Sequence, residues 1–129
     1  MIVLDASAIV DVIIDQPNKT TLLDYFDREL VAPAHQPAEV LSAIARLRRA
    51  GELSDAMARD AVRDAADLVQ ELVPLDGGLL RRALELDGRL RVVDALYVAL
   101  AERLECPLLT SDHRLAAAEP PCEIVLVGA

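Results

Sequence analysis

The strongest constraint on this chain is its opening run, Ile2-Val3-Leu4, followed at once by Asp5. Three consecutive apolar residues leave no polar face to turn toward water. A strand of that kind is buried on both sides, as in a parallel sheet covered by helices on both faces. Asp5-Ala6-Ser7 then stops the strand and opens a helix. A carboxylate is thereby set at the carboxyl end of a buried strand, where open α/β sheets bind their ligands.

The same alternation continues along the chain. Ala8 to Ile14 reads as a short apolar helix, broken by Gln16-Pro17-Asn18. A second helix is expected from about Lys19 to Arg28, then a strand at Leu30-Val31-Ala32 closed by Pro33. Pro37 suits the first turn of a helix that carries Val40, Leu41, Ile44 and Leu47 at helical spacing and stops at Gly51. Ser54 can cap the next helix, expected to reach about Leu72 with the stripe Met57, Ala61, Ala65, Leu68 and Leu72; the pair would form an αα-hairpin. Val73-Pro74-Leu75 is a brief extended piece. Asp76 can cap a helix from Gly78 to Asp87, and another starts near Asp94. Pro107 to Thr110 and Glu123 to Val127 read as strands, with a short helix from Arg114 to Ala118 between them. The expectation is a compact parallel α/β sandwich forming one domain over residues 1–129.

Composition narrows the function classes. Hydrophobic residues make up 53% of the 129 residues but aromatics only 2%, so the core is aliphatic. No apolar run approaches the ~18 residues of a membrane span. Met1 leads directly into strand residues, so no signal peptide and a cytoplasmic location are expected. A formal net charge of −9 argues against general attraction to nucleic acid. Twelve of the thirteen basic residues are nevertheless Arg, the side chain suited to bidentate contact with phosphate. Cys106 and Cys122 each precede an expected strand, which sets both at the amino-terminal edge of the sheet as reduced thiols without zinc-ligand spacing.

Four acids fall at equivalent places. Asp5 ends the first strand, Asp112 lies just past Leu108-Leu109-Thr110, Asp94 opens a helix, and Glu39 sits in the first turn of another. Strand carboxyl ends and helix amino ends meet at one rim of a parallel sheet, so all four can converge. At an effective dielectric of ~20, two like charges ~5 Å apart repel by about 3 kcal/mol. Such a cluster implies raised pKa values or a bound divalent cation, and an oxygen-only donor set points to Mg²⁺ or Mn²⁺. That chemistry suits phosphodiester hydrolysis. Ser7, Thr110 and Ser111 can orient groups around the acids. Taken singly, each of the four is as readily a helix cap or a first-turn acid; the reading rests on all four sharing one end of the elements. Asp60, Asp64 and Asp67 read as a solvated helix face, and His35 and His113 as loop residues. Arg46, Arg48 and Arg49 read as a helix end complementing the dipole, with RNA contact as the alternative.

Ile2-Val3-Leu4-Asp5-Ala6-Ser7-Ala8, Pro37-Ala38-Glu39-Val40, Val93-Asp94-Ala95-Leu96-Tyr97-Val98-Ala99-Leu100-Ala101 and Leu108-Leu109-Thr110-Ser111-Asp112 together resemble the PIN domain, and more narrowly the VapC toxins of VapBC toxin–antitoxin modules. The resemblance covers essentially the whole chain. It implies a three-layer α/β/α sandwich around a parallel sheet of four or five strands. It also implies a Mg²⁺-dependent endoribonuclease in which Asp5, Glu39, Asp94 and Asp112 match the acidic quartet. By the same likeness the substrate is RNA, often tRNA or rRNA, the toxin forms a homodimer, and a VapB antitoxin holds it inactive. The helical hairpin Glu39 to Leu72 is the expected antitoxin groove.

Competing readings are weaker in specific ways. A haloacid-dehalogenase-like phosphatase also has an Asp after its first strand, but wants a second Asp where Ser7 stands and a phosphate-binding Lys where none is well placed. A response-regulator receiver wants a phosphoacceptor Asp after its third strand and a late Lys. A non-catalytic PIN-like binding module stays open as an alternative.

Overall fold

The computed structural model describes residues 1–14 and 19–127; the break expected at Gln16-Pro17-Asn18 lies outside them. The elements run β1 (Ile2–Leu4), α1 (Ala6–Ile13), α2 (Lys19–Leu23), β2 (Leu30–Pro33), α3 (Gln36–Arg49), α4 (Asp55–Asp67), β3 (Glu71–Val73), α5 (Gly77–Glu85), α6 (Val92–Leu104), β4 (Leu108–Thr110), α7 (His113–Ala117) and β5 (Ile124–Leu126). The strands form one sheet in the order β3-β2-β1-β4-β5, and every pairing is parallel. The apolar opening run occupies the centre: Ile2, Val3 and Leu4 are fully buried.

This order has a functional consequence. The chain leaves β1 toward β2 and β3 on one side, then returns to place β4 on the other. The carboxyl ends of β1 and β4 therefore flank the topological switch point, where a crevice opens in this class of sheet. The Asp5 N–H donates to the Leu109 carbonyl at 3.0 Å, tying the two strand ends together.

Helices cover both faces. α6 packs on β1, β2 and β4, and α5 packs on α6. Arg82 of α5 forks Glu102 of α6 at 2.7 and 3.1 Å. α1, α3 and α4 pack on one another. The core is aliphatic as expected, with Tyr97 its largest fully buried side chain. α6 is buried along nearly its whole length from Asp94 to Ala101, the pattern of a helix enclosed on several sides. Among the described residues no helix is long and apolar enough to cross a membrane.

Local signals behave as their chemistry requires. The Ser54 hydroxyl accepts from the Met57 N–H, and the Asp76 carboxylate from the Leu79 N–H. Gly51 follows α3 at φ +78°, a conformation that favours glycine. The Gly51 and Glu52 N–H groups donate to the Arg48 and Leu47 carbonyls, closing the helix in a Schellman motif. Cys106 and Cys122 are free thiols that precede the paired strands β4 and β5.

Some expected boundaries are corrected. The second helix ends at Leu23 rather than near Arg28, and turns follow. α4 ends at Asp67, and Leu72 belongs to β3 instead of the helix. Two tertiary pairings override the helical spacing of Leu68 and Leu72. Glu71, Leu72 and Val73 pair with Val31, Ala32 and Pro33, and the Gln70 amide exchanges hydrogen bonds with Gln36 at 2.7 and 3.0 Å.

The fold makes a simple stability prediction. Leu100 is fully buried in α6, whereas Leu84 on α5 is 69% exposed. Leu100→Ala is expected to cost about 2–5 kcal/mol in urea unfolding. Leu84→Ala is expected to stay within about 0.5 kcal/mol of wild type.

Candidate active site

The four acids reach one cleft. It has a volume of about 620 Å³, and its walls include Asp5, Glu39, Asp94 and Asp112 together with Ser7, Arg46, Arg91 and Arg114. Asp5 arrives from the end of β1, Glu39 from the start of α3, Asp94 from the first turn of α6 and Asp112 from the start of α7.

Asp5 is the most enclosed, at 5% exposure. It occupies the N-cap of α1 yet makes no side-chain capping bond. The capping alternative therefore does not describe it. Its Oδ2 accepts from the Thr110 hydroxyl at 2.7 Å and the Ser7 hydroxyl at 2.8 Å. Those hydroxyls are themselves held: Ser7 Oγ accepts from the Ser111 N–H, and Thr110 Oγ1 from the Asp112 N–H. Both hydroxyls end on one carboxylate oxygen, so neither engages Oδ1. Burial pushes the Asp5 pKa from 3.8 to about 6; the two hydroxyls oppose the rise, while the charges of Asp94 and Glu39 add to it.

The other acids have distinct surroundings. Asp94 is 9% exposed, and both its oxygens accept from Arg91, Oδ2 from Nε at 2.9 Å and Oδ1 from Nη2 at 3.2 Å. Asp112 caps α7 through Oδ1, which accepts from the Arg114 and Leu115 N–H groups; it caps and lines the cleft at once. Glu39 Oε1 is buried with no hydrogen bond, and His35 Nε2 lies 3.4 Å from it. His35 is a turn residue at the N-cap position of α3 and makes no side-chain capping bond; its Nε2 donates to the Val93 carbonyl at 2.9 Å, and its ring packs 4.8 Å from that of Tyr97. Burial first, then the charge of Asp5, holds the Tyr97 hydroxyl protonated well above the ordinary tyrosine range.

The basic residues divide. Arg46 lines the cleft; Arg48 and Arg49, offered with it from sequence, do not and lie exposed in the last turn of α3. Arg91 and Arg114 line it without having been singled out from sequence. A signal was present for both: Arg91 precedes Asp94 by three residues, and Arg114 follows Asp112 by two.

Whether a hard cation fits can be tested on these atoms. Among the described residues no three acidic, His or Cys side chains are gathered closely enough to hold a metal ion as they stand. The donors are nonetheless of the right kind. They are carboxylate oxygens; Glu39 Oε1 is buried and unbonded, and Asp5 is repelled by two neighbouring charges. Such a set suits Mg²⁺ or Mn²⁺.

Parallel sheet, switch-point crevice and acidic rim define an α/β domain with an acidic cleft at the carboxyl edge of its sheet. Residues 2–119 match the PIN domain family. The chain is 38% identical over 128 residues to Ribonuclease VapC1 of Mycobacterium tuberculosis, covering 97% of this chain and 96% of that protein. Its fold is also similar to a toxin–antitoxin complex structure from Klebsiella pneumoniae (TM-score 0.72, 15% identity, 97% and 96% of the two chains). VapC20 of M. tuberculosis, whose structure is described as that of a sarcin–ricin loop cleaving toxin, gives a TM-score of 0.68 at 18% identity over 93% and 96% of the two chains. The chain belongs to the PIN-domain family, among the VapC proteins.

The raised Asp5 pKa predicts a pH-dependent stability in the metal-free protein. The folded state holds the Asp5 proton more tightly than the unfolded state does between pH 3.8 and about 6. Stability from this group is therefore greatest below that window, falls as pH rises through it, and is level above. Asp5→Asn is expected to stabilise the protein by on the order of 3 kcal/mol at pH 7.5 and by about 1 kcal/mol at pH 4.5. Urea unfolding in EDTA at the two pH values measures the difference; an equal gain at both would contradict it.

Proposed function

We propose that this chain is a VapC-type toxin acting as a Mg²⁺-dependent endoribonuclease, with residues 1–129 working as a single PIN-like domain in the cytoplasm. The observation that carries the reading is the convergence of Asp5, Glu39, Asp94 and Asp112 on one cleft at the switch point of a parallel sheet. Relatives named as ribonucleases support the reaction class.

In this reading Asp5, Glu39, Asp94 and Asp112 hold the cation. A divalent ion held there would supply the Lewis acidity that phosphodiester hydrolysis calls for. The chain's own residues do the rest. Ser7 and Thr110 fix the Asp5 carboxylate by one oxygen and leave the other for ligation or proton acceptance. Arg46 and Arg114 offer guanidinium groups to the RNA phosphates along the cleft wall, which compensates locally for the net negative charge. Arg48 and Arg49, outside the cleft, are left as contacts to more distant phosphates. The substrate class is structured RNA such as tRNA or rRNA.

The partner of this reading is a VapB-type antitoxin, and similarity to a toxin–antitoxin complex supports it. A second cleft, about 420 Å³ and largely apolar, runs between α3, α4 and β3. Leu41, Val62 and Leu72 line it while 54%, 39% and 42% exposed. An apolar antitoxin segment laid in this groove would cover them. The toxin itself is proposed to form a homodimer.

Purified protein incubated with total tRNA and rRNA is expected to cleave in Mg²⁺ or Mn²⁺ and to stop with EDTA. Asp5→Ala is expected to lower the rate at least ~100-fold, a loss typical when a group central to electrostatic catalysis is removed. Cleavage that persists equally with chelator or in the variant would reject the mechanism. Separately, Leu41→Glu is expected to weaken inhibition by the cognate antitoxin by roughly tenfold or more, the scale of burying an unpaired charge. RNA cleavage by that variant alone, followed on a labelled substrate, is expected to remain at the wild-type rate.

A further inference from the structure

Arg91 stands where a short capping side chain is favoured, at the N-cap of α6, and its side chain caps nothing. The guanidinium instead forks Asp94 and takes up both carboxylate oxygens. Asp94 is nearly buried, whereas the Arg91 side chain is 63% exposed. The same guanidinium is stabilised by the charges of Glu39 and Asp112. It lines the acidic cleft and also a smaller neighbouring one bounded by Arg89, Asp112 and Arg114. A cation on a flexible, solvent-facing stem therefore sits among the mutually repelling acids. A divalent ion in the cleft would need the very oxygens that the guanidinium holds.

We infer that Arg91 is a built-in competitor of the divalent cation for Asp94: it neutralises the acidic rim in the metal-free protein, and the ion binds only as the guanidinium swings off both oxygens. The inference rests on the metal-dependent reading of the site. It assigns Arg91 a positioning role that sets how much free metal the site requires. The sign of the effect separates this role from a scaffolding one. Losing a residue that merely shapes the site would weaken metal binding, whereas losing a competitor strengthens it.

The test is Mn²⁺ binding to the full chain without RNA, read from the free-ion paramagnetic resonance signal at low ionic strength. Arg91→Ala is expected to bind Mn²⁺ roughly tenfold more tightly than wild type, the scale of a partly buried bidentate ion pair. Arg91→Lys, whose ammonium cannot fork both oxygens, is expected to fall between the two. This variant keeps a charged side chain at the position and carries the test alone if the alanine variant does not fold. Asp5→Asn serves as the control that defines the site. If Asp5→Asn loses Mn²⁺ binding while the Arg91 variants bind no more tightly than wild type, the competitor role is overturned and the metal site stands. If Asp5→Asn leaves Mn²⁺ binding unchanged, the metal reading fails and this inference falls with it.

Discussion

The hydrogen bonds from Ser7 and Thr110 to one oxygen of Asp5 are what the site depends on. Burial alone would drive this carboxyl far toward its neutral form. Two hydroxyls oppose that and bring the pKa to about 6, low enough for ionisation at neutral pH. The same bonds tie the start of α1 to the end of β4. Thr110 in turn receives the Asp112 N–H and Ser7 the Ser111 N–H. The acid from β1 and the acid beyond β4 are thus held through one shared set of hydroxyls. A change at Thr110 is felt by both.

Around this anchor the rim follows from topology and charge together. A parallel sheet gathers strand carboxyl ends and helix amino ends at one edge, and the β1/β4 switch opens a crevice there. The four acids gathered by that geometry oppose one another. The molecule answers the repulsion differently at each: hydroxyls at Asp5, a guanidinium fork at Asp94, backbone N–H groups at Asp112. Glu39 keeps a buried oxygen unbonded. Compensation is therefore incomplete on Asp5 and Glu39, the pair with the most to gain from a cation.

How much of this could be read from the residues differs by element. β1, β2 and β4 were legible because apolar runs ending in polar residues have few alternatives in a chain this size. The end of α4 was not, because Leu68 and Leu72 are spaced as on a helix, and only pairing with β2 and the Gln36 amide reveals the strand. The acidic quartet was legible as a set because element order fixes which end each residue occupies. The Arg residues were half legible. From Glu39 to Arg46 is seven residues, about two turns, so both face the cleft, whereas Arg48 falls half a turn away. That distinction was available from periodicity. For Arg91 the three-residue spacing to Asp94 was visible, but that both oxygens are taken depends on the path of the loop entering α6. His35 was likewise hidden: its contact with Tyr97 joins residues far apart in sequence.

One side chain links the two clefts. Gln36 is fully buried at the start of α3 and donates to the carbonyl of Leu4, the residue before Asp5. Its amide also pairs with Gln70 and forms part of the wall of the apolar groove. Three residues on, Glu39 enters the acidic cleft, and Val40 and Ile44 enter the core beside the groove. The register of α3 must therefore satisfy strand end, groove and acidic rim simultaneously. A rotation of this helix that moved Glu39 would strip Leu4 of its buried amide donor, at about 1–3 kcal/mol for an unsatisfied polar group. The buried Gln36 amide thus keeps Glu39 in register with Asp5 by the same bonds that shape the groove.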